Sequence, residues 1–572
     1  MSDLLEPLKY YTQTKEKHAS LVAAYFDKLV VESGIDVAAH KQTVEAYQKK
    51  CLEAEDVGDE NGKYKAWRVI LIILTVLVAV AGVLLIWLDR NWLGLLAIPL
   101  DVLFIWICIK KLTPKIRELS ALHAKKLAEA EQLLAEAWAQ MAPLNALFDN
   151  TDIHKLIEQV MPAVEFAPSL SPAHMELLRK EYDYAEMFDH TQTVLDTTAG
   201  MLCKSPFLFV RYQTQTMRDH RYQGSRTITY TTRVRDSNGN WRTVRRSQTL
   251  TAYVTKPKPH YETSTCLLFG NNGAPELYFS RHGRHVEDLS ERKLERHIED
   301  GAEDLQKKAR TATQRGGNFQ ELANTEFEVL FGAHNRTNEV QFRVMYTPLA
   351  QENTTALLLD RDEGYGDDFS FIKNRRLNVI RSEHAQSWDM NTTAAHYRSY
   401  SLEEARQKFQ VRNEDYFRSV FFDFAPLLAV PLYQDGPIKS LDEIPPQPST
   451  STPYEYEALA NAIGWRAFVD SRTTDGAILK AKFMGRTDDT DRVAIVAHSY
   501  RTEDRVEYVP VWGGDGRMHD VPVHWKEYIP LIRKTNLSVQ RRDQSDNAFA
   551  KAGGTIPQNG AYYHGLLAWL MI

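Results

Sequence analysis

The chemistry most legible in this 572-residue chain is anion binding. Between Lys204 and Lys258 stand nine Arg and three Lys against only Asp219 and Asp236. That is a local excess of ten positive charges in a chain whose net charge is −6. Arg233, Arg235, Arg242, Arg245 and Arg246 bracket Asn238-Gly239, a dipeptide that closes tight hairpins because both of its residues take positive φ readily. A two-residue turn there sets Arg235 opposite Arg242, with Arg233 and Arg246 near them on the same face. Like charges facing each other across a sheet repel, so the cluster calls for a counter-anion. An anionic lipid surface or an acidic protein partner would supply it; nucleic-acid phosphates are possible but less favoured. Tyr222, Tyr230, Trp241 and Tyr253 interleave with these charges. The competing expectation is a solvated sheet face paired in cis with the acidic segment of Glu287, Asp288, Glu291 and Glu295.

Other constellations are less specific. Asp360, Asp362, Glu363, Asp367 and Asp368 surround Gly364-Tyr365-Gly366. The spacing begins like a calcium loop, but Phe371 stands at the twelfth position, where a bidentate Glu is needed. His282 and His285 could share one helical face, with His297 further on, yet no third ligand falls at a recognised spacing. Glu383-His384 and His498-Ser499 lack a nucleophile elbow. The phosphate-loop, dinucleotide and His-Glu-x-x-His patterns are absent. No metal or cofactor is therefore expected, and the best enzyme site on offer is Asp367, Asp368 and His384.

These residues must be carried on something, and two apolar runs, 69–88 and 92–109, define it. The first is long enough to span a bilayer core of about 30 Å and the second just long enough. Asp89, Arg90 and Asn91 separate them, so the pair reads as a two-helix transmembrane hairpin. Lys63, Lys65 and Arg68 precede it, and Lys110, Lys111, Lys115, Arg117, Lys125 and Lys126 follow. Basic flanks favour the cytoplasmic side, which predicts both termini inside, in a cell inner membrane. The chain opens on a polar, helix-like stretch, so no secretory signal is expected. Asp101, two residues after Pro99, is the only charge inside the spans. A carboxylate at that depth costs about 2.5–3.5 kcal/mol on insertion scales and points to contact with another copy.

The fold class expected is an α+β cytosolic body on the hairpin, with an N-terminal helical bundle or stalk. Residues 1–66 form a helical segment in which Val22, Tyr25, Phe26, Leu29 and Val30, then Val37, Val44, Tyr47 and Cys51, repeat at helical spacing. The hairpin occupies 67–111 and a helical stalk 112–200. Leu127, Ala130, Leu134, Ala137, Met141 and Leu144 make a coiled-coil-like seam, expected to pack on the N-terminal helices rather than on a second copy. A middle α+β domain covers 201–440, with strands at 207–212, 226–235, 241–254, 265–269 and 277–280, a charged helix at 286–310 and a second at 402–424. Strands at 326–331 and 340–346 lead to a helix after Thr347. A Pro-rich linker, 441–453, precedes a C-terminal α+β domain, 454–572, with helix 454–463, strands near 477–483, 493–498 and 506–512, and an apolar end docked as a strand or helical turn. Cys51, Cys108, Cys203 and Cys266 are too scattered for a disulfide framework.

The function these features favour is a membrane-anchored binding or scaffold protein that engages an anionic partner through its basic β-rich surface. The alternatives are an oligomerising membrane effector or pore built through the hairpin, and a membrane-tethered enzyme.

Overall fold

A computed structural model describes residues 2–89, 97–235, 240–387, 389–434, 451–542, 555–557 and 559–570. The chain is a mixed α+β protein that divides into two compact units. One comprises Val22–Phe148 with Ala394–Val411; the other comprises Met1–Leu21, Asp149–Thr393 and Arg412–Ile572.

The smaller unit is helical. It takes the residues from Val22 onward of α1 (Pro7–Ser33), then α2 (Val37–Asp89), α3 (Ala97–Ile107) and α4 (Thr113–Asn145). At 1.5 Å per residue the 53-residue α2 is about 80 Å long. Its first half packs on α4, where Ala130, Ala137, Met141 and Leu144 of the expected seam are buried and Leu127 is exposed. Ion pairs flank the contact: Lys50 to Glu129 at 2.8 Å and Lys126 to Glu53 at 2.5 Å. His40 Nδ1 meets Gln140 Oε1 at 3.0 Å, and its Nε2 accepts from the Leu402 amide at 3.3 Å. Phe26, Phe148, Tyr397 and Phe409 close the aromatic core of this unit. A π turn at Cys108–Leu112 joins α3 to α4, with the Thr113 hydroxyl returning to the Cys108 carbonyl at 2.7 Å. Pro114 lies in the first turn of α4.

Beyond Lys65, α2 changes character. Trp67, Val69, Ile70, Ile72, Ile73, Val76, Leu77, Val80 and Val83 are all exposed. Uncovered apolar surface on this scale is unfavourable in water, and this helix is long and apolar enough to cross a membrane. Arg90, Asn91 and the first five residues of the expected second span lie outside the described residues, as do most of the Pro-rich linker and Asn238-Gly239.

The larger unit is built on two antiparallel sheets. Its strands are β1 (Val164–Phe166), β2 (Gln192–Leu202), β3 (Ser205–Arg235), β4 (Trp241–Gly270), β5 (Tyr278–Arg281), β6 (Phe369–Asn374), β7 (Leu377–Ser382), β8 (Ile478–Thr487), β9 (Thr490–Trp512), β10 (Met518–Arg541), β11 (Gly560–Tyr563) and β12 (Leu566–Leu570). Its helices are α5 (Asp152–Val160), α6 (Pro172–Glu181), α7 (Glu291–Gln314), α8 (Thr325–Phe331), α9 (Glu339–Met345), α10 (Pro348–Leu359), the single turn α11 (His384–Ser387), the part of α12 (Leu402–Leu428) from Arg412, and α13 (Pro453–Ile463). The first sheet runs β1-β2-β3-β4-β7-β6-β5 and the second β11-β12-β10-β9-β8.

The continuous apolar runs 207–210 and 266–269 follow from burial of the first sheet on both faces. Phe207, Phe209, Leu267 and Phe269 enter one core, with α8, α10 and α12; Leu208, Val210, Cys266 and Leu268 enter another, with α6. α13 ties the two sheets together. The Glu457 carboxylate accepts the Val194 amide of β2 at 2.9 Å and pairs with Lys480 of β8 at 2.8 Å. Residues 201–393 and 454–572 accordingly belong to one unit. The stretch expected as stalk to residue 200 leaves the long helix at Asn145 and already contains β1 and β2.

Two strand expectations are corrected. Residues 326–331 and 340–345 are helical, with Tyr346 capping the second helix. Short apolar runs fit either period, and the caps decide here: the Asn324 and Asn338 side chains accept the amides of Phe327 and Gln341, and Gly332 ends α8 in the left-handed region. The separate strands expected at 207–212 and 226–235 are one 31-residue strand, and 241–254 with 265–269 form one of 30.

Candidate anion-binding site

The outer halves of β3 and β4 form a long two-stranded ribbon, and β9 with β10 forms another. They lie face to face. Ile228, Leu250, Ala252 and Val254 of the first pack against Val521 and Val523 of the second, with Val509, Val511, Tyr222 and Tyr230 around them. A Cβ on Gly224 would sit 2.1 Å from the Pro522 carbonyl oxygen, so glycine is what allows the layers to approach. Polar bonds fix their registration: Lys256 to Glu507 at 2.7 Å, Arg226 Nη1 to the Asp520 carbonyl at 2.9 Å, and the Gly514 amide to Gln248 Oε1 at 2.7 Å. The result is a two-layer β-arm.

The register at the arm's end differs from the sequence expectation by one residue. Arg235 pairs with Trp241 and Val234 with Arg242; Arg233 faces Thr243, Thr231 faces Arg245, and Tyr230 faces Arg246. Five residues, not six, therefore separate the strand ends. Because side chains alternate across a strand, a one-residue slip sends one strand's set to the other face. Arg233, Arg235 and Arg245 share the outer face, with Trp241 and Thr243. Arg242 and Arg246 share the opposite face, beyond the Tyr230–Gln248 contact with Gly514. No arginine stands directly opposite another, which relieves the repulsion anticipated from sequence. The charges surround the end of the arm instead of crowding one face.

All five arginines are exposed, as is Trp241 at 70%. Among the described residues, no carboxylate lies within 4.0 Å of Arg233, Arg242, Arg245 or Arg246. Of the acidic segment expected as a cis partner, Glu287 is engaged elsewhere, accepting the Asp367 amide at 2.9 Å and lying 3.3 Å from His285. Nearer the body, charges are compensated, with Arg218 on Glu262 at 2.6 Å and Arg221 over the Tyr253 ring at 3.6 Å. The second ribbon adds exposed Trp512, Met518 and Tyr508 near its own turn. Cationic groups beside exposed indoles suit an anionic interface, where the guanidinium meets charge and the ring meets the apolar margin.

Of the other sequence candidates, Asp368 and His384 do come together, with Asp368 Oδ2 2.5 Å from His384 Nδ1. Tyr365 stacks on the imidazole at 3.8 Å, and Asp423 Oδ1 lies 3.7 Å from Nε2. Both carboxylates hold His384 protonated to higher pH against its burial, and burial pushes Asp423 up to about 6. Asp367 points away into an ion pair with Arg281. The adjoining cavity measures about 10 Å³, room for about one water. This is a packed ionic cluster without space for a substrate. Asp360 caps its own loop, accepting the amides of Asp362 and Glu363 at 3.3 Å. His285, Glu287 and Asp288 bring ligand atoms within 4.8 Å of one another, but His285 already bonds Glu287 and Glu383. His498 and Ser499 are neighbours on β9 and so face opposite ways.

Asp101 sits on α3, which lies against α2. Its Oδ1 has no hydrogen-bond partner among the described residues, and the Thr75 hydroxyl is committed to the Leu71 carbonyl at 2.8 Å. Sequence reasoning missed a cavity whose wall includes His154, Arg541 and His564. His154 is 387 positions from Arg541 and 410 from His564, and no spacing signal could join them. No protein-family model, characterised protein or solved structure matches this chain.

Proposed function

We propose that this chain is a membrane-anchored binding or scaffold protein whose basic β-arm engages an anionic lipid surface or an acidic protein partner. The observation that carries the reading is the group of exposed arginines at the arm's end, with Arg233, Arg242, Arg245 and Arg246 lacking carboxylate partners among the described residues. A purely solvated surface gains nothing from concentrating like charge, whereas an anion recovers Coulomb energy from each. Anchoring is by the hairpin of spans 69–88 and 92–109 in an inner membrane, with both termini cytoplasmic. The exposed apolar face of α2, the packing of α3 on α2 and the basic residues Lys63, Lys65, Arg68, Lys110 and Lys111 support that topology.

The test uses the full chain in neutral-lipid nanodiscs, presented separately to phosphatidylglycerol vesicles and to neutral vesicles. Each basic residue contributes about 1 kcal/mol near an anionic surface. Reversing Arg233, Arg235, Arg242 and Arg246 to Glu is therefore expected to weaken vesicle binding at least a hundredfold, with circular dichroism unchanged. Binding that survives the reversal overturns the arm as the contact surface. Failure of wild type on vesicles, with capture of an acidic protein that the reversal abolishes, assigns the arm to that partner.

A second reading, homo-oligomerisation through the hairpin, is favoured by one observation, the unpartnered Asp101 Oδ1. A hydrogen bond between copies satisfies it in hydrocarbon and is worth about 1–2 kcal/mol. Asp101→Leu is expected to shift a self-associated form toward monomer in mild detergent, read by light scattering. A wild type that is already monomeric removes this reading.

A further inference from the structure

In the larger unit a cavity of about 190 Å³ opens where β2, the start of α5, the end of β10 and the β11–β12 turn meet. Its wall presents Arg541, His154, His564, Thr197, Ser169 and Thr392, and among the described residues no Asp or Glu lines it. Each group is delivered by a specific local device. Thr197 follows a β-bulge between Val194 and Asp196, a feature that re-aims side chains at the edges of sites. Its amide is satisfied by Asp196 Oδ1 at 2.8 Å, yet its hydroxyl, on a residue 2% exposed, has no hydrogen-bond partner among the described residues. A buried hydroxyl without a partner is costly, and a ligand in the cavity would relieve that cost.

His564 and Gly565 form the two-residue turn between Tyr563 and Leu566, with φ of 49° and 75°. Gly takes that conformation freely and His does not. The imidazole stacks on Tyr563 at 3.8 Å and has Glu455 Oε1 3.7 Å from Nδ1. His154 stacks flat on Phe166 at 4.1 Å and meets the Tyr416 hydroxyl at 2.9 Å through Nε2. Arg541 Nη1 donates to Ser169 Oγ at 3.2 Å. Carboxylates that touch wall residues have partners of their own: Asp149 takes the Thr151 amide and hydroxyl at 2.9 and 2.7 Å, Asp196 takes the Thr197 amide and the Tyr563 hydroxyl, and Glu455 takes the Leu170 amide at 2.8 Å.

We propose that this cavity binds a small metabolite bearing an oxyanion, a carboxylate or a phosphate, held by the Arg541 guanidinium and the Thr197 hydroxyl. The guanidinium fork matches the geometry of both oxyanions, and a volume of about 190 Å³ suits a small metabolite. The site is independent of the arm: it uses different residues, and its ligand is a small molecule rather than a surface.

The experiment follows the thermal midpoint of the full chain in neutral nanodiscs against inorganic phosphate, succinate and, at matched ionic strength, chloride. Wild type is expected to show a saturable rise with phosphate, succinate or both, and none with chloride. Phosphate alone identifies a phosphate ligand, and succinate alone a carboxylate. Arg541→Gln and Thr197→Val are each expected to raise the half-saturating concentration at least tenfold. The variant with the four arm arginines reversed is expected to keep the wild-type response, which separates the cavity from diffuse anion binding at the arm. If Arg541→Gln fails to fold, Thr197→Val alone carries the test. A response absent in wild type, shared with chloride, abolished by the arm reversal or unchanged in the cavity variants overturns the proposal.

Discussion

Arg281→Met is expected to destabilise the larger unit by about 3–5 kcal/mol, because it strands the Asp367 carboxylate in the core. Both side chains are fully buried and pair with each other. Asp367 also accepts the Arg284 amide at 2.9 Å through Oδ2, and its own amide donates to Glu287. The guanidinium lies 4.5 Å from the Phe369 ring and 5.3 Å from that of Phe331. Met fills that aromatic slot but supplies no charge, so the carboxylate would have to be held unpaired or protonated. The check is urea unfolding of the full chain by tryptophan fluorescence, with an expected large fall in midpoint. Arg281→Met combined with Asp367→Leu is expected to recover much of the loss, since removing both charges also removes their desolvation cost. Equal losses in the single and double variants would show that side-chain shape, not the uncompensated charge, sets the effect.

That ion pair illustrates what the sequence conceals. Asp367 looked like one member of an acidic loop, and nothing near it in sequence announces Arg281, 86 residues earlier. Features carried by local period were legible: α2 with its apolar outer half, the helices α10, α12 and α13, the two strands of the basic ribbon and parts of β9, while β10 (Met518–Arg541) was not anticipated. The basic arm was legible for the same reason, since its charges are contiguous. Its register was not. A hairpin's facing pairs depend on the number of residues in the connection, and a dipeptide signal counts two whatever the flanks do. The strand expectation at 326–331 failed where an apolar run shorter than two helical turns fits both periods, leaving the choice to side-chain caps. The cavity of His154, Arg541 and His564 lay beyond reach altogether: His154 comes from a helix, Arg541 from a strand end and His564 from a tight turn, and only the tertiary fold brings them to one wall.

Acid sensitivity is where tertiary placement acts on chemistry that the sequence shows only as a histidine. His18 on α1 is fully buried, stacked on Phe417 at 4.4 Å, with neither ring nitrogen hydrogen-bonded among the described residues. Burial lowers its pKa from 6.5 to about 4. The unfolded chain therefore takes up a proton near pH 6.5 that the folded chain refuses until about pH 4, and stability falls as pH drops through that window. The full difference is about 3 kcal/mol for this one residue, of which about 2 is lost by pH 5. His18→Phe keeps the stack and removes the proton. Its stability is expected to match or exceed wild type at pH 7.5, and to exceed it by about 2 kcal/mol more at pH 5. His154 and His174, lowered by burial to about 3 and 4, act in the same direction, while Asp423, raised to about 6, opposes them. Those groups are common to both proteins and cancel in the difference, so urea midpoints of the pair at pH 7.5 and 5 isolate His18. Parallel losses in the two proteins between those pH values would mean that His18 is protonated in the folded state, with a partner in solution to hold the charge.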